Sequence, residues 1–225
     1  MPFSPLPRSL LDRLTAIGRA GGVAVELGCG DGRCAELFRP LGVDLIGLDS
    51  TGPELGTTAR IVGDALRPPL APGSLSLLVA ANVVRHLLPA DPQARFLQCW
   101  RSLLSPSGWL LILEDEPTLE RAASRNYAAW QDVLRRLAAG RRGPLLPLAS
   151  FRALLPRTQR ALWSCGRQRN RYPLQVARVL ELIDRGGPAA GAADACGPLR
   201  AAIIADGMDY GDYWWALCPG CNEEI

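Results

Sequence analysis

Three acids, a run of alternate glycines and one histidine have the types and spacing to do chemistry in this sequence. Glu26 precedes Gly28, Gly30 and Gly32 in VELGCGDGR, Asp49 ends LIGLD, and Asp64 follows Gly63 in VGDA. Glycine lacks a Cβ, so such a loop bends tightly and brings backbone N–H groups close to a ligand. The neighbouring carboxylate decides which ligand. A dinucleotide loop spaced G-x-G-x-x-G takes a pyrophosphate, and a P-loop needs Gly-Lys-Ser/Thr. Here the third glycine comes one residue early and the chain holds no lysine. Glu26 would repel phosphate and suits an ammonium group. Asp49 follows the first glycine by about 20 residues, the spacing at which an acid holds ribose hydroxyls.

His86, in VVRHLL, is the only histidine. It could serve as a general base if its pKa stays near neutrality, or pack against the following helix. Glu114, Asp115 and Glu116 end an apolar run; at least one of them, with Asp115 the catalytic candidate, is expected at the substrate and the others at the cap of the next helix. Cys218-Pro-Gly-Cys221 is half of a zinc-knuckle pattern, and a structural zinc usually needs four ligands. No second pair of this spacing exists, so no metal is expected and a plain terminal thiol pair is the simplest reading.

The elements that must position these residues follow from the apolar pattern. Short apolar runs at Val23–Val25, Val43–Leu48, Ile61–Val62, Leu75–Ala81 and Trp109–Leu113 read as strands, the fourth apolar enough for a central parallel strand. Helices are expected over Leu10–Ile17, Cys34–Arg39 (stopped by Pro40) and Pro53–Ala59. Another should start at Asp91 as N-cap with Pro92 at N1, and a long one should run from Thr118 to Ala139. Phe151–Leu155, Leu174–Arg185 and Leu199–Ala205 complete the helices, and Trp163–Tyr172 and Tyr213–Leu217 are further strands. Residues 187–198 read as a small-residue linker. Strands alternating with helices imply a doubly wound, mostly parallel sheet.

The chain has 225 residues, enough for one α/β domain and a small cap. No apolar run approaches the roughly 20 residues that span a bilayer, and the N-terminus lacks the pattern of a secretion signal, so a cytoplasmic protein is expected. Seven cysteines without secretory context argue against a disulfide framework. All 25 basic residues are arginine, which reads as coding bias. Their distribution is uneven: residues 121–185 hold 14 arginines against three acids, while both flanks are net acidic. In that block Arg157, Arg160, Arg167, Arg169 and Arg171 could meet RNA or another polyanion; the alternative is a solvated edge strand defended by charge.

The ordered series VELGCGDGR, LIGLDS, VGDA, NVVRHL and LSPSGWLLILEDEP resembles the S-adenosylmethionine-dependent class I methyltransferases, and most of all the small type 11 domain, over roughly Val23–Pro117. The resemblance implies a Rossmann-like, seven-stranded α/β sheet with a helical cap and S-adenosylmethionine as cofactor. Glu26, Gly28 and Gly30 would meet the methionine part, Asp49 the ribose, with Ser50 beside the adenine. Asp64 and Ala65 would meet the adenine edge, and Asn82 would stand near the methionine portion. The expected organisation is one domain: an N-terminal helix (1–21), a cofactor core (22–117), a basic cap (118–173) and a C-terminal part of the sheet with its Cys-x-x-Cys tail (174–225). A small-molecule acceptor, an anionic one included, is the first expectation. RNA or protein methylation through the basic block and a binding subunit without turnover are the alternatives.

Overall fold

The computed structural model describes residues 3, 5–51, 59–138, 142–171, 174–186 and 193–220. Seven strands form one sheet: β1 (Val23–Leu27), β2 (Leu45–Asp49), β3 (Arg60–Val62), β4 (Leu75–Ala81), β5 (Leu104–Glu116), β6 (Ser164–Arg169) and β7 (Asp212–Pro219). Their order is β3-β2-β1-β4-β5-β7-β6, parallel except for β7, which runs antiparallel to both neighbours. The chain reverses its strand order beside β1. In open α/β sheets that is where a ligand crevice forms, at the carboxyl ends of the strands.

Alternation along the buried strands builds two cores. On one face Val25, Leu27, Leu78 and Ile112 pack with Phe96, Leu97 and Trp100 of α4 (Phe96–Ser102) and Phe151 of α6 (Leu148–Leu154). On the other, Ala24, Leu77, Val79 and Leu111 pack with Leu10, Leu14 and Ile17 of α1 (Arg8–Ala20) and Phe38 of α2 (Ala35–Phe38). The period-2 switch between faces is why these strands read as continuous apolar runs.

A third core joins Tyr127, Trp130 and Val133 of α5 (Ala122–Leu137) to Val179 and Ile183 of α7 (Val176–Gly186) and to Leu199 and Ile203 of α8 (Ala193–Asp206). This helical layer therefore differs from the expected cap over 118–173. Ser164–Arg169 leaves it to become the sheet's edge strand, and α7 and α8 enter it from the segment assigned to the sheet.

Several local expectations need correction. Helix α4 begins at Phe96 rather than Asp91, because Ala94 takes a left-handed φ of 53°. Asp91 still reaches the helix start, accepting the Phe96 N–H at 3.1 Å. Thr118 does not cap α5, which starts at Ala122; its hydroxyl instead accepts the Asp212 N–H at 3.0 Å and ties the chain to β7. Pro40 continues α2 as a 3-10 turn over Arg39–Leu41. The linker expected to reach residue 198 is helical from Ala193, and α8 runs through Pro198, which has no N–H to give the helix. The helix expected over Pro53–Ala59, the end of the one expected at Ala139, Tyr172 and Cys221 lie outside the described residues. Cys218 is fully buried in β7.

Candidate active site

A cavity of about 490 Å³ opens at the carboxyl ends of β1 to β4. All eight residues assigned to the cofactor line it: Glu26, Gly28, Gly30, Asp49, Ser50, Asp64, Ala65 and Asn82. They lie at or just past the ends of four parallel strands, β1 to β4, so the sheet order sets them in a row from Asp64 beyond β3 to Asn82 beyond β4.

The glycine loop is held from within. Gly28 and Cys29 donate their N–H groups to the Leu48 carbonyl at 2.7 and 3.2 Å, and Gly32 donates to Cys29 at 2.8 Å. Gly30 donates to Asp49 Oδ2 at 2.9 Å, while Arg60 donates to the Gly30 carbonyl. These N–H groups thus serve the loop itself, contrary to the expectation that they reach a ligand. Gly28 is required on two counts: its φ is +63°, and a Cβ would stand 2.6 Å from Val83 Cγ2.

Glu26 is 3% exposed on the cavity wall. Burial, with Asp31 and Asp49 nearby, pushes its pKa up to about 8 against the opposing Cys34 thiol and Arg60. That shift favours the protonated carboxyl at neutral pH. Asp49 behaves differently. Burial would raise it, but N–H groups of Gly30 and Thr51, the Thr51 hydroxyl and Arg60 outweigh burial and hold it below the usual range. Its oxygens accept three hydrogen bonds, from Gly30 N and from Thr51 N and Oγ1 at 3.1 and 3.0 Å. A carboxylate has about four lone-pair sites, which leaves capacity for a ligand hydroxyl.

Asn82 adopts a left-handed φ of 58° directly after β4. Its amide donates to Asp115 Oδ2 and accepts the Asp115 N–H, both at 3.1 Å. Asp115 also accepts the Tyr127 hydroxyl at 2.6 Å, and the Arg85 guanidinium lies 3.7 Å away. Asp115 is fully buried and does not line the cavity; its hydrogen bonds hold Asn82. Glu114 is also fully buried, beside Arg85, and Glu116 pairs with Arg167 at 3.1 Å. None of the three acids lines the cavity or caps α5. Replacing Tyr127 with Phe should cost about 1–3 kcal/mol by removing a donor from a buried carboxylate. Chemical denaturation of the two proteins measures that loss.

His86, on the one-turn helix α3 (Val84–Leu87), lines the cavity but fails the condition for a general base. Burial and the nearby Arg85 and Arg142 charges lower its pKa to about 3. Its Nδ1 accepts the Gly143 N–H at 3.2 Å, and Arg85 Nε approaches Nε2 at 3.4 Å. It is a neutral packed imidazole. Sequence reading missed Arg85, Arg142, Tyr210, Cys34 and Phe3, which also line the cavity. Arg85 adjoins His86 in NVVRHL, but only folding brings residues 3, 142 and 210 to it.

Comparison with known proteins bears on the family and the fold. A family model described as a methyltransferase domain matches residues 4–164. No curated protein matches the sequence significantly. Among solved structures, a protein from Anabaena variabilis assigned as a methyltransferase from an antibiotic biosynthesis pathway superposes with a TM-score of 0.62 at 13% identity, covering 93% of this chain and 96% of its own. A cyclopropane-fatty-acyl-phospholipid synthase-like protein from Lactobacillus casei gives 0.61 at 12% identity, over 97% and 95% of the two chains. An S-adenosylmethionine-dependent methyltransferase from Archaeoglobus fulgidus gives 0.55 at 15% identity, over 94% and 91%. These likenesses show the fold, the Rossmann-like sheet expected from the sequence. With most of its length matched by the family model, this chain belongs to the methyltransferase domain family.

Proposed function

We propose that the protein transfers a methyl group from S-adenosylmethionine to a small acceptor molecule. The observation that carries this reading is the convergence of Glu26, the glycine loop, Asp49, Asp64 and Asn82 on one cavity. The residues present fit the cofactor. Glu26 offers a buried carboxyl to an α-ammonium group, and Asp49 has acceptor capacity left for a ribose hydroxyl. Asp64 and Ala65 end the row at β3, where the adenine edge would lie, with Ser50 beside it. Gly28 and Gly30 keep the loop free of side chains next to the methionine part, and Asn82, fixed by Asp115, closes that side.

When bound, the sulfonium supplies an electrophilic methyl group, so the protein has mainly to align a nucleophile and exclude water. Phe3 contributes to that exclusion: it is fully buried, packs edge-on to Tyr213 at 5.3 Å and lines the cavity. With His86 neutral and its Nδ1 occupied, the residues at the acceptor end orient rather than deprotonate.

The basic block favours the solvated-edge reading over RNA. Arg167 pairs with Glu116 and Arg160 donates to the Leu155 carbonyl at 3.1 Å, so two of the five candidate arginines already have protein partners. Arg169 and Arg171 are exposed along and just past the edge strand β6. Among the described residues no helix is long and apolar enough to cross a membrane, and a cytoplasmic location goes with this function. Labelled methyl transfer from S-adenosylmethionine to small-molecule, RNA and protein pools tests the reading. Label in the small-molecule pool supports it. Label only in RNA or protein favours the basic block, and cofactor binding without transfer to any pool favours a binding subunit.

A further inference from the structure

Arg85 and Arg142 both line the cavity, beside His86. Arg85 is 5% exposed, and burial works against its charge, but Glu114 and Asp115 keep it cationic. Their contacts are long: 3.9 Å from Nε to Glu114 and 3.7 Å from one terminal nitrogen, Nη1, to Asp115. That same nitrogen is buried with no hydrogen-bond partner among the described residues. A buried guanidinium nitrogen without an acceptor is costly and calls for an explanation.

Arg142 is the second cation. Arg142 is exposed overall, but partial burial and the Arg85 charge still work against its ionisation, with Tyr127 opposing them. The chain holds it there by its neighbour. A Cβ on Gly143 would overlap the Arg85 carbonyl, and the Gly143 N–H is bound to His86. Two guanidinium groups of like charge thus face one cavity, with neutral His86 between them in sequence and space. Tyr210, packed edge-on to Tyr127 at 5.2 Å, lines the same cavity.

We infer that the acceptor carries an anionic group, a carboxylate or a phosphate, which binds between the guanidinium groups of Arg85 and Arg142. This rests on the methyltransferase reading and names the acceptor's chemical class. An oxyanion there would relieve the repulsion between the two arginines, and guanidinium forks match both anions geometrically.

The test uses the full chain saturated with S-adenosylhomocysteine, titrated calorimetrically with benzoate in one arm and inorganic phosphate in the other. Saturable binding in either arm, weakened about 10- to 100-fold in Arg142→Gln and partly restored in Arg142→Lys, is expected, since bonds to charged groups carry that much. The arm that binds identifies the anion. S-adenosylhomocysteine binding by Arg142→Gln, measured first, should match wild type and shows that the variant is folded. No saturable binding in either arm, or binding unchanged in Arg142→Gln, overturns the inference and leaves the cofactor assignment standing. Failure of wild type to bind S-adenosylhomocysteine overturns both.

Discussion

Gly28→Val should lose S-adenosylmethionine binding altogether while the sheet still forms. The residue sits at φ +63°, where a β-branched side chain is strained, and its first carbon would stand 2.6 Å from Val83 Cγ2. Val83 follows Asn82, so relieving the clash moves the loop after β4 as well as the loop after β1. Two walls of the cavity then shift together. Loss of binding by at least about 100-fold, or about 3 kcal/mol, is the expected scale for displaced contacts of this kind. Circular dichroism checks the fold and calorimetry the binding. Wild-type affinity in the variant would mean that the glycine loop does not face the cofactor.

Glu26 sets the second large effect, one that depends on pH. Burial raises its carboxyl to about 8 from the ordinary 4.5. Between those values the folded protein keeps a proton that the unfolded chain has released. Stability is therefore highest below pH 4.5 as far as this group is concerned, falls as pH rises, and levels off once pH passes 8. The total loss is on the order of a few kcal/mol. Glu114, raised to about 7, adds a smaller loss of the same sign. Glu26→Gln mimics the protonated form, so it should match wild type near the acid end and exceed it above pH 8. The same variant should bind cofactor about 10- to 100-fold more weakly, because an amide cannot pair with an ammonium as a carboxylate does. Denaturation series at three pH values, with binding measured alongside, separate the two consequences. A variant that lost stability at every pH would show that Glu26 is ionised and paired in the free protein.

Much of this was legible in the residues. Apolar runs ending in an acid or glycines give away parallel strands and a crevice at their carboxyl ends, and the resemblance to class I methyltransferases implied that Glu26, Asp49, Asp64 and Asn82 meet there. What escaped depends on distant parts of the chain. Asp115 looks like any acid at a strand end; Tyr127 and Asn82 capture it and turn it inward. His86 looks like a base until burial, Arg85 and Arg142 are counted around it. The helical layer was misdrawn because α5 finds its partners α7 and α8 across an intervening edge strand, and local periodicity cannot report partners. The charge excess of residues 121–185 also overstated one surface, since Arg121 bonds Asp212 and Arg167 bonds Glu116 on other elements.

Calorimetric titration of the protein with S-adenosylmethionine at pH 7, repeated in two buffers of different ionisation enthalpy, bears most directly on the cofactor site. Binding in the micromolar range, about −8 kcal/mol, is expected. It should be accompanied by release of most of one proton, because the ammonium converts protonated Glu26 to its carboxylate. No heat with S-adenosylmethionine, together with tight binding of NAD in the same cell, would contradict the assignment.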